Sequence, residues 1–569
     1  MKKRKIDINK IINIIILMFT VIRVYIQNKL PLYLQAGAGF DDFLLVSYAK
    51  SIMSGNWLGT FSTRTLAKGI SYPIFLIIDY ISGIPYSVFL IILYIIAIIL
   101  FIKVIKKHIS NKTYLYILYL ILLYSPVMFH IENVQKIYRG GAIVVFSLLV
   151  IAAIIGIYND KNEKIKKIAV YSIIASISLP FFYYLKEDSI WIMPFVLGAT
   201  FLAIIYIIKN KVDKKIKRIL LVVLPIITLV AVKYAYCGIN YLYYNEFAIT
   251  DRTGTYFKEV MADIIKIDEK DEKDNIWITK KMMYKAVDSS KTLQSIRPYI
   301  DDMYENSFAL VDGEFEGDMI FWTIKEAVGE AGIYAKGGKE LNRFYKDIDK
   351  ELDEAFKKNK LKEDTDKKIY ISSIAKGFTV DELIEYYSKT TPEAIKMLIT
   401  YSENETTVHN AYGNYEDIVF MDTLTNSTTV WPNEMTNFYK PHTLITKISE
   451  AIVSLYQKTG YIIAILSLIG GLIFTFKIIK DIIKKKYEEL DLFLIMLGIL
   501  VDIAALLFGV EWFTSWCGGS IYRHIYNYTC GLIPLIQILE ITGIYFLFRE
   551  IKQFMNNKRR SNKYEKRSK

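Results

Sequence analysis

PYSVFLIILYIIAIILFIKVI, Pro85 to Ile105, carries a single charge, Lys103, in 21 positions. About 20 helical residues rising ~1.5 Å each match the ~30 Å hydrocarbon core of a bilayer. This stretch therefore reads as a membrane-spanning helix. Working outward, runs of the same kind recur at Ile8–Ile26, Tyr114–Phe129, Ala142–Tyr158, Ile168–Leu185, Ile190–Ile208 and Ile219–Tyr236, then at Gly460–Ile479, Leu490–Val510 and Asn527–Phe548. The 569 residues are 53% hydrophobic and 14% aromatic, more apolar than a soluble chain of this size needs. The expected fold class is an all-α polytopic membrane protein with about ten spans.

Charge placement orients the spans. The chain starts MKKRK, and no small-residue cleavage site follows, so the first run reads as a span and not as a cleaved leader. Net charge is +13, and much of it sits at the ends and in the short connections 103–112, 161–167, 209–218 and 477–486. That pattern fits the positive-inside rule better than nucleic-acid binding. It predicts a plasma-membrane protein with both termini cytoplasmic and the intervening connections outside. The expected organisation is a transmembrane module at 1–236 with a first outer loop at 28–69, an extracytoplasmic domain at 237–459, spans at 460–548 and a basic cytoplasmic tail at 549–569. Ile70–Gly83 is apolar but short and holds Asp79, so it is expected to be a re-entrant or interfacial helix.

The 237–459 segment is mixed in charge and is expected to be mostly helical, for example over Gly338–Lys360 and Val380–Ser388. Asp268–Asp274 (DEKDEKD) reads as a solvated run. Cys517 and Cys530 lie near outer helix ends, where a disulfide and buried free thiols are both open readings. The chain holds no GxxxxGK[ST], no strand-linked GxGxxG and no HExxH, which disfavours nucleotide-dependent enzymes and zinc proteases.

Ionisable residues beside a bilayer are costly and point to function. Asp41 and Asp42 follow Gly37-Ala38-Gly39 and precede an amphipathic stretch, Phe43–Met53. Asp42 is placed to cap that helix; Asp41 is left for base chemistry or a metal. Three more clusters lie on the same expected face: Glu132 to Arg139 (ENVQKIYR), Lys186-Glu187-Asp188, and Tyr522-Arg523-His524. Arg64 and Lys68 add cations, and Arg in particular matches phosphate geometry. Each cation alone also reads as interfacial snorkelling.

FDD at Phe40–Asp42, followed by Tyr48-Ala49-Lys50 and Gly55-Asn56-Trp57, resembles the first outer loop of GT-C fold membrane glycosyltransferases. The likeness is to bacterial members of the mannosyltransferase and aminoarabinose-transferase-like class. KEDSIW, Lys186–Trp191, is similar to an R-E-E/D-x-x-W pattern of that class, with Lys in place of Arg. Tyr522-Arg523 resembles its late Arg-Tyr motif in reversed order. The stretch Gly317–Trp322 (GDMIFW) resembles uncharacterised bacterial members. The resemblance implies inverting transfer of a sugar from a polyprenyl-phosphate or diphosphate donor to an extracytoplasmic glycan, lipid or protein acceptor. Asp41 would be the base, with Asp42, Glu187 and Asp188 as further acidic site residues. Lys136, Arg139, Lys186 and Arg523 would meet the donor phosphate, and Glu132, Arg64, Tyr522 and His524 would support the acceptor. Some members use Mg2+ or Mn2+, which Asp41 and Glu187 would hold. On this reading Asp41, Glu187 or Asp188, and Arg523 converge on one cavity. A flippase for a lipid-linked sugar is the competing reading, and a non-catalytic assembly protein a third. Transporters place coupling charges within spans, where Lys233 and Asp502 are the visible ones here.

Overall fold

The computed structural model describes residues 8–35, 39, 41–269, 273, 275–406, 411–429 and 443–568. Phe40, Gly37 and parts of the 268–274 charge run lie outside the described residues. Among the described residues ten helices are long and apolar enough to cross a membrane: Asn9–Asn28, Tyr86–Ile105, Lys112–Phe129, Gly140–Asn159, Ile165–Tyr183, Ser189–Lys209, Lys215–Tyr244, Leu444–Ile483, Leu490–Tyr528 and Cys530–Asn556. The first nine helices in chain order are α1 (Ile8–Asn28), α2 (Asp42–Met53), α3 (Ser71–Ser82), α4 (Tyr86–Ile105), α5 (Lys112–Leu123), α6 (Gly140–Asn159), α7 (Ile165–Tyr183), α8 (Met193–Lys209) and α9 (Lys215–Tyr244).

Each expected span has a counterpart, and the ends differ. Helix α9 runs eight residues past Tyr236, and the helix ending at Ile483 begins at Thr443 instead of Gly460. The region expected as a loop after Val510 is helical through most of its length, with a kink at Gly518 (φ 55°). Hydropathy marks the bilayer, and a helix continues beyond it wherever its backbone bonds can.

Helix α6 is the hub of the main core, with most of its side chains fully buried between α4, α7 and α8. Helices Thr443–Ile483 and Ile533–Ser568 lie in backbone contact at Gly470 and Gly543, where any Cβ would overlap the facing main chain. Small residues at such crossings are the usual device for close helix packing in lipid. Helix α3, at 12 residues, is ~18 Å long and too short to cross. It ends at Gly83 in the left-handed region (φ 66°).

Charge inside the spans exceeds expectation, because Arg23 and Glu540 are buried there as well as Asp502. Arg23 has a structural task. Pro126 disfavours a continued helix, and α5 stops at Leu123. Arg23 donates to the released carbonyls of Leu123 (Nε, 3.1 Å) and Met128 (Nη2, 2.9 Å) and stacks on Phe129. Asp502 accepts from the Phe195 N–H at 3.1 Å, capping the first turn of α8 from a neighbouring helix. Lys233 is exposed on α9.

Between α9 and Thr443 lies a second hydrophobic core, built from residues between Phe257 and Ala375. Its helices include Tyr256–Ile265, Met319–Glu330 and Gly338–Lys357. One hairpin, Leu310–Val311 with Glu314–Phe315, turns through Asp312 and Gly313, both at positive φ. That is the Asp-Gly turn that suits strand twist. The three cysteines are free, with Cys237 and Cys530 buried.

Candidate active site around Asp41

The segment before the acidic pair is held by backbone pairing. Tyr33 N–H donates to Gln135 O (3.0 Å), Ile137 N–H to Tyr33 O (3.1 Å), and Tyr412 N–H to Leu34 O (2.7 Å). The chain then turns into α2. Asp41 occupies the N-cap position without a side-chain capping bond, and Asp42 is the first helical residue. This reverses the expectation that Asp42 caps. The Asp42 carboxylate is fully buried and accepts from the Gln35 N–H at 2.8 Å through Oδ2; its Oδ1 has no hydrogen-bond partner. Burial raises Asp42 to about 6, although Lys136 and the Gln35 N–H oppose it.

Asp41 points the other way, with its side chain 57% exposed. Its Oδ1 accepts from Lys68 Nζ and from Tyr138 OH, each at 3.3 Å. Tyr138 OH in turn accepts from Arg139 Nη2 at 2.7 Å. Arg139 is nearly fully buried, and its Nη1 meets Glu187 at 2.9 and 3.2 Å and the Leu185 carbonyl at 3.3 Å. Partial burial pushes Asp41 up, but Lys68, Arg139 and Lys136 outweigh it and leave it below the usual carboxylate range. In the same way Arg139 and Lys68 overcome burial to hold Glu187 near its floor, at about 2. Burial, with Arg139 nearby, lowers Lys68, against the pull of Asp41 and Glu187. The result is a continuous chain, Lys68–Asp41–Tyr138–Arg139–Glu187, in which anions and cations alternate.

Two further ion-pair groups flank it. Glu132 meets Lys136 (3.7 Å) and Arg523 (3.2 Å), and Arg523 also faces Glu405 at 4.0 Å. Lys136 lies 5.4 Å from the Tyr138 ring, which links this group to the first. Lys186 pairs with Asp188 at 2.6 Å and sits 4.0 Å from the Tyr528 ring. His524 Nδ1 bonds the Ser520 carbonyl, and its ring lies between Trp516 and Tyr528. Tyr522 packs partly buried against the main core.

Arg64 borders a separate cleft of about 180 Å3 beside α2, shared with Gly39, Ser47, Tyr48, Ser62 and Thr65. A Cβ on Gly39 would come within 3.1 Å of the Arg64 guanidinium, a tight contact that a small shift of that side chain would relieve. Asp41, Glu187, Asp188 and Arg523 do not line this cleft. Asp41 and Glu187 share one network, Arg523 reaches it through Glu132 and Lys136, and Asp188 turns to Lys186. Among the described residues no three His, Cys, Asp or Glu side chains form a metal-binding group. Asp41 and Glu187 are engaged by Lys68 and Arg139, the charge a divalent ion would otherwise supply.

Sequence reasoning missed three contributors. Tyr138 bridges Asp41 to Arg139, and only its place beside Arg139 hinted at a role. Arg252 pairs with Asp318 at 2.7 Å, and Trp322 faces Lys68, Arg252 and Lys325. Comparison of the chain with protein-family models, curated proteins and solved structures gives no match.

Proposed function

We propose that the chain is a GT-C-like membrane glycosyltransferase that moves a sugar from a polyprenyl-phosphate carrier to an acceptor hydroxyl on the outer face. The observation that carries this reading is the setting of Asp41. It is a solvent-reachable carboxylate within the first loop, at the N-cap of α2, bonded to Lys68 and joined through Tyr138 to Arg139.

A carboxylate held low by two cations is ionised at neutral pH. It accepts the acceptor hydroxyl's proton as the acceptor oxygen attacks the anomeric carbon from the face opposite the phosphate. The bond from that carbon to the phosphate oxygen breaks, and the phosphate leaves with the electron pair. Lys68 is a preorganised donor for that developing charge, and buried Arg139, whose Nη atoms are taken by Glu187, the Leu185 carbonyl and Tyr138, adds its positive field. Glu187 holds Arg139 in place and balances its burial. Asp42 serves the backbone instead of the substrate, through its bond to Gln35 N–H.

Of the charges within the spans, Arg23 and Asp502 bond backbone groups at helix ends, whereas buried Glu540, with Oε1 unpartnered, is the one of the three that a flippase reading can draw on. The test is sugar transfer from a labelled polyprenyl-phosphate donor by purified protein in vesicles. Asp41→Asn is expected to lower transfer by about 10²–10⁴-fold, the usual worth of a general base, with the thermal transition preserved. Glu187→Gln is expected to reduce it through Arg139. Full transfer by both variants sinks the assignment; movement of donor across the bilayer without a new glycosidic bond supports a flippase instead.

A further inference from the structure

The helix Met319–Glu330 belongs to the second core, yet one of its faces leaves that core. Trp322, Lys325, Glu326 and Gly329 recur at the spacing of a helical stripe, and this stripe rides on the first loop. Thr63 Oγ1 donates to Glu326 at 3.1 Å, and a Cβ on Gly329 would come within 2.6 Å of Thr63 Cγ2. Trp322 packs on the small cluster of Leu44, Tyr48, Leu58, Leu66 and Tyr244. The Asp251 N–H donates to the Leu66 carbonyl at 3.0 Å, fixing the residues on either side of the contact.

Lys68 ends this loop stretch. Its ammonium lies 5.5 Å from the centre of the Trp322 ring and 3.3 Å from Asp41, within the ~6 Å reach of a cation–π contact. The two other cations at the ring have carboxylates of their own, Arg252 with Asp318 and Lys325 with Asp251. Arg139 repels the Lys68 charge, and Glu187 attracts it. The Lys68 ammonium thus has two neighbours that favour its charge, the Trp322 ring and the Asp41 carboxylate.

We propose that Trp322 is a positioning residue of the Asp41 site, holding the Lys68 ammonium against the carboxylate, so that the inserted domain completes the site. This rests on the transferase reading only for its catalytic meaning; the geometry is testable without it. The probe is the rate at which acetic anhydride acylates Lys68 in the purified full chain, read by peptide mass spectrometry, with exposed Lys396 as internal reference. Asp41→Asn calibrates the readout by releasing the ammonium. Trp322→Leu is expected to raise Lys68 acylation at least fivefold, and Trp322→Phe, which keeps an aromatic face, to stay within twofold of wild type. If the Leu variant does not fold, Trp322→Met replaces it with the same expectation. Unchanged Lys68 acylation in the non-aromatic variant overturns the proposal, and so does a Phe variant that behaves like Leu. A normal labelling pattern in a protein that transfers no sugar removes the transferase reading and leaves the positioning role standing.

Discussion

Asp41 and Asp42 are adjacent and chemically alike, and burial separates them. Ionised Asp42 is carried into the interior with one oxygen unpaired. Its folded-state value lies above its ordinary one, from 3.8 to about 6. Below ~pH 4 both states are protonated and nothing is lost. Between the two values the folded chain binds the extra proton, so stability falls as pH rises, and above ~pH 6 the full cost of about 3 kcal/mol is present. Asp42→Asn keeps an oxygen for the Gln35 N–H and removes that charge. It is expected to melt higher than wild type at pH 8 and to match it near pH 4. Glu187 has the opposite sign. Its value is depressed to about 2, so its contribution is present above its ordinary range near 4.5 and is lost as pH falls toward 2. Asp41, Arg139 and Glu187 stood out in the sequence as charges beside spans. Their partnership did not, because Arg139 and Glu187 are 48 positions apart and Asp41 and Tyr138 97 apart. Trp322 closes the GDMIFW stretch that stood out only by resemblance, and nothing local tied it to Lys68, 254 positions away.

At the scale of helices, the long pair Thr443–Ile483 and Ile533–Ser568 depends on two glycines meeting. Gly543→Leu is expected to destabilise the protein by about 1–3 kcal/mol or more, since its side chain overlaps main chain that has nowhere to move. Gly471→Leu, one residue along from Gly470, faces open space and is expected to leave the melting temperature unchanged. Comparing the two melts in one detergent checks the claim. The spans were legible because a bilayer demands about 20 apolar residues and few other settings do. Their ends were not, because α9 and the helix before Ile483 carry polar residues onward as regular helix. Arg23 and Glu540 escaped notice because apolar neighbours on both sides dilute a single charge.

For the whole molecule, the ten candidate spans among the described residues and the Lys-rich alternate connections lead to a proposed topology in which the second core and the Asp41 network lie on the face opposite the basic loops. Cysteine probes test this in a Cys517→Ser background. Lys396→Cys is expected to react with an impermeant maleimide on intact cells, and Lys164→Cys only after permeabilisation. The reverse result turns the molecule over and puts the Asp41 network in the cytoplasm.

The pairing of the Leu32–Gln35 segment has a consequence for biogenesis. Leu34 is bonded to Tyr412, and Leu32 bridges to Thr429. A nascent chain has made Asp41 early, yet it lacks these partners until about three-quarters of the 569 residues have been synthesised. The frame is therefore completed late, after most of the spans have been made, and a chain truncated before Tyr412 would carry its acidic pair with the Tyr33 pairing to Gln135 and Ile137 alone.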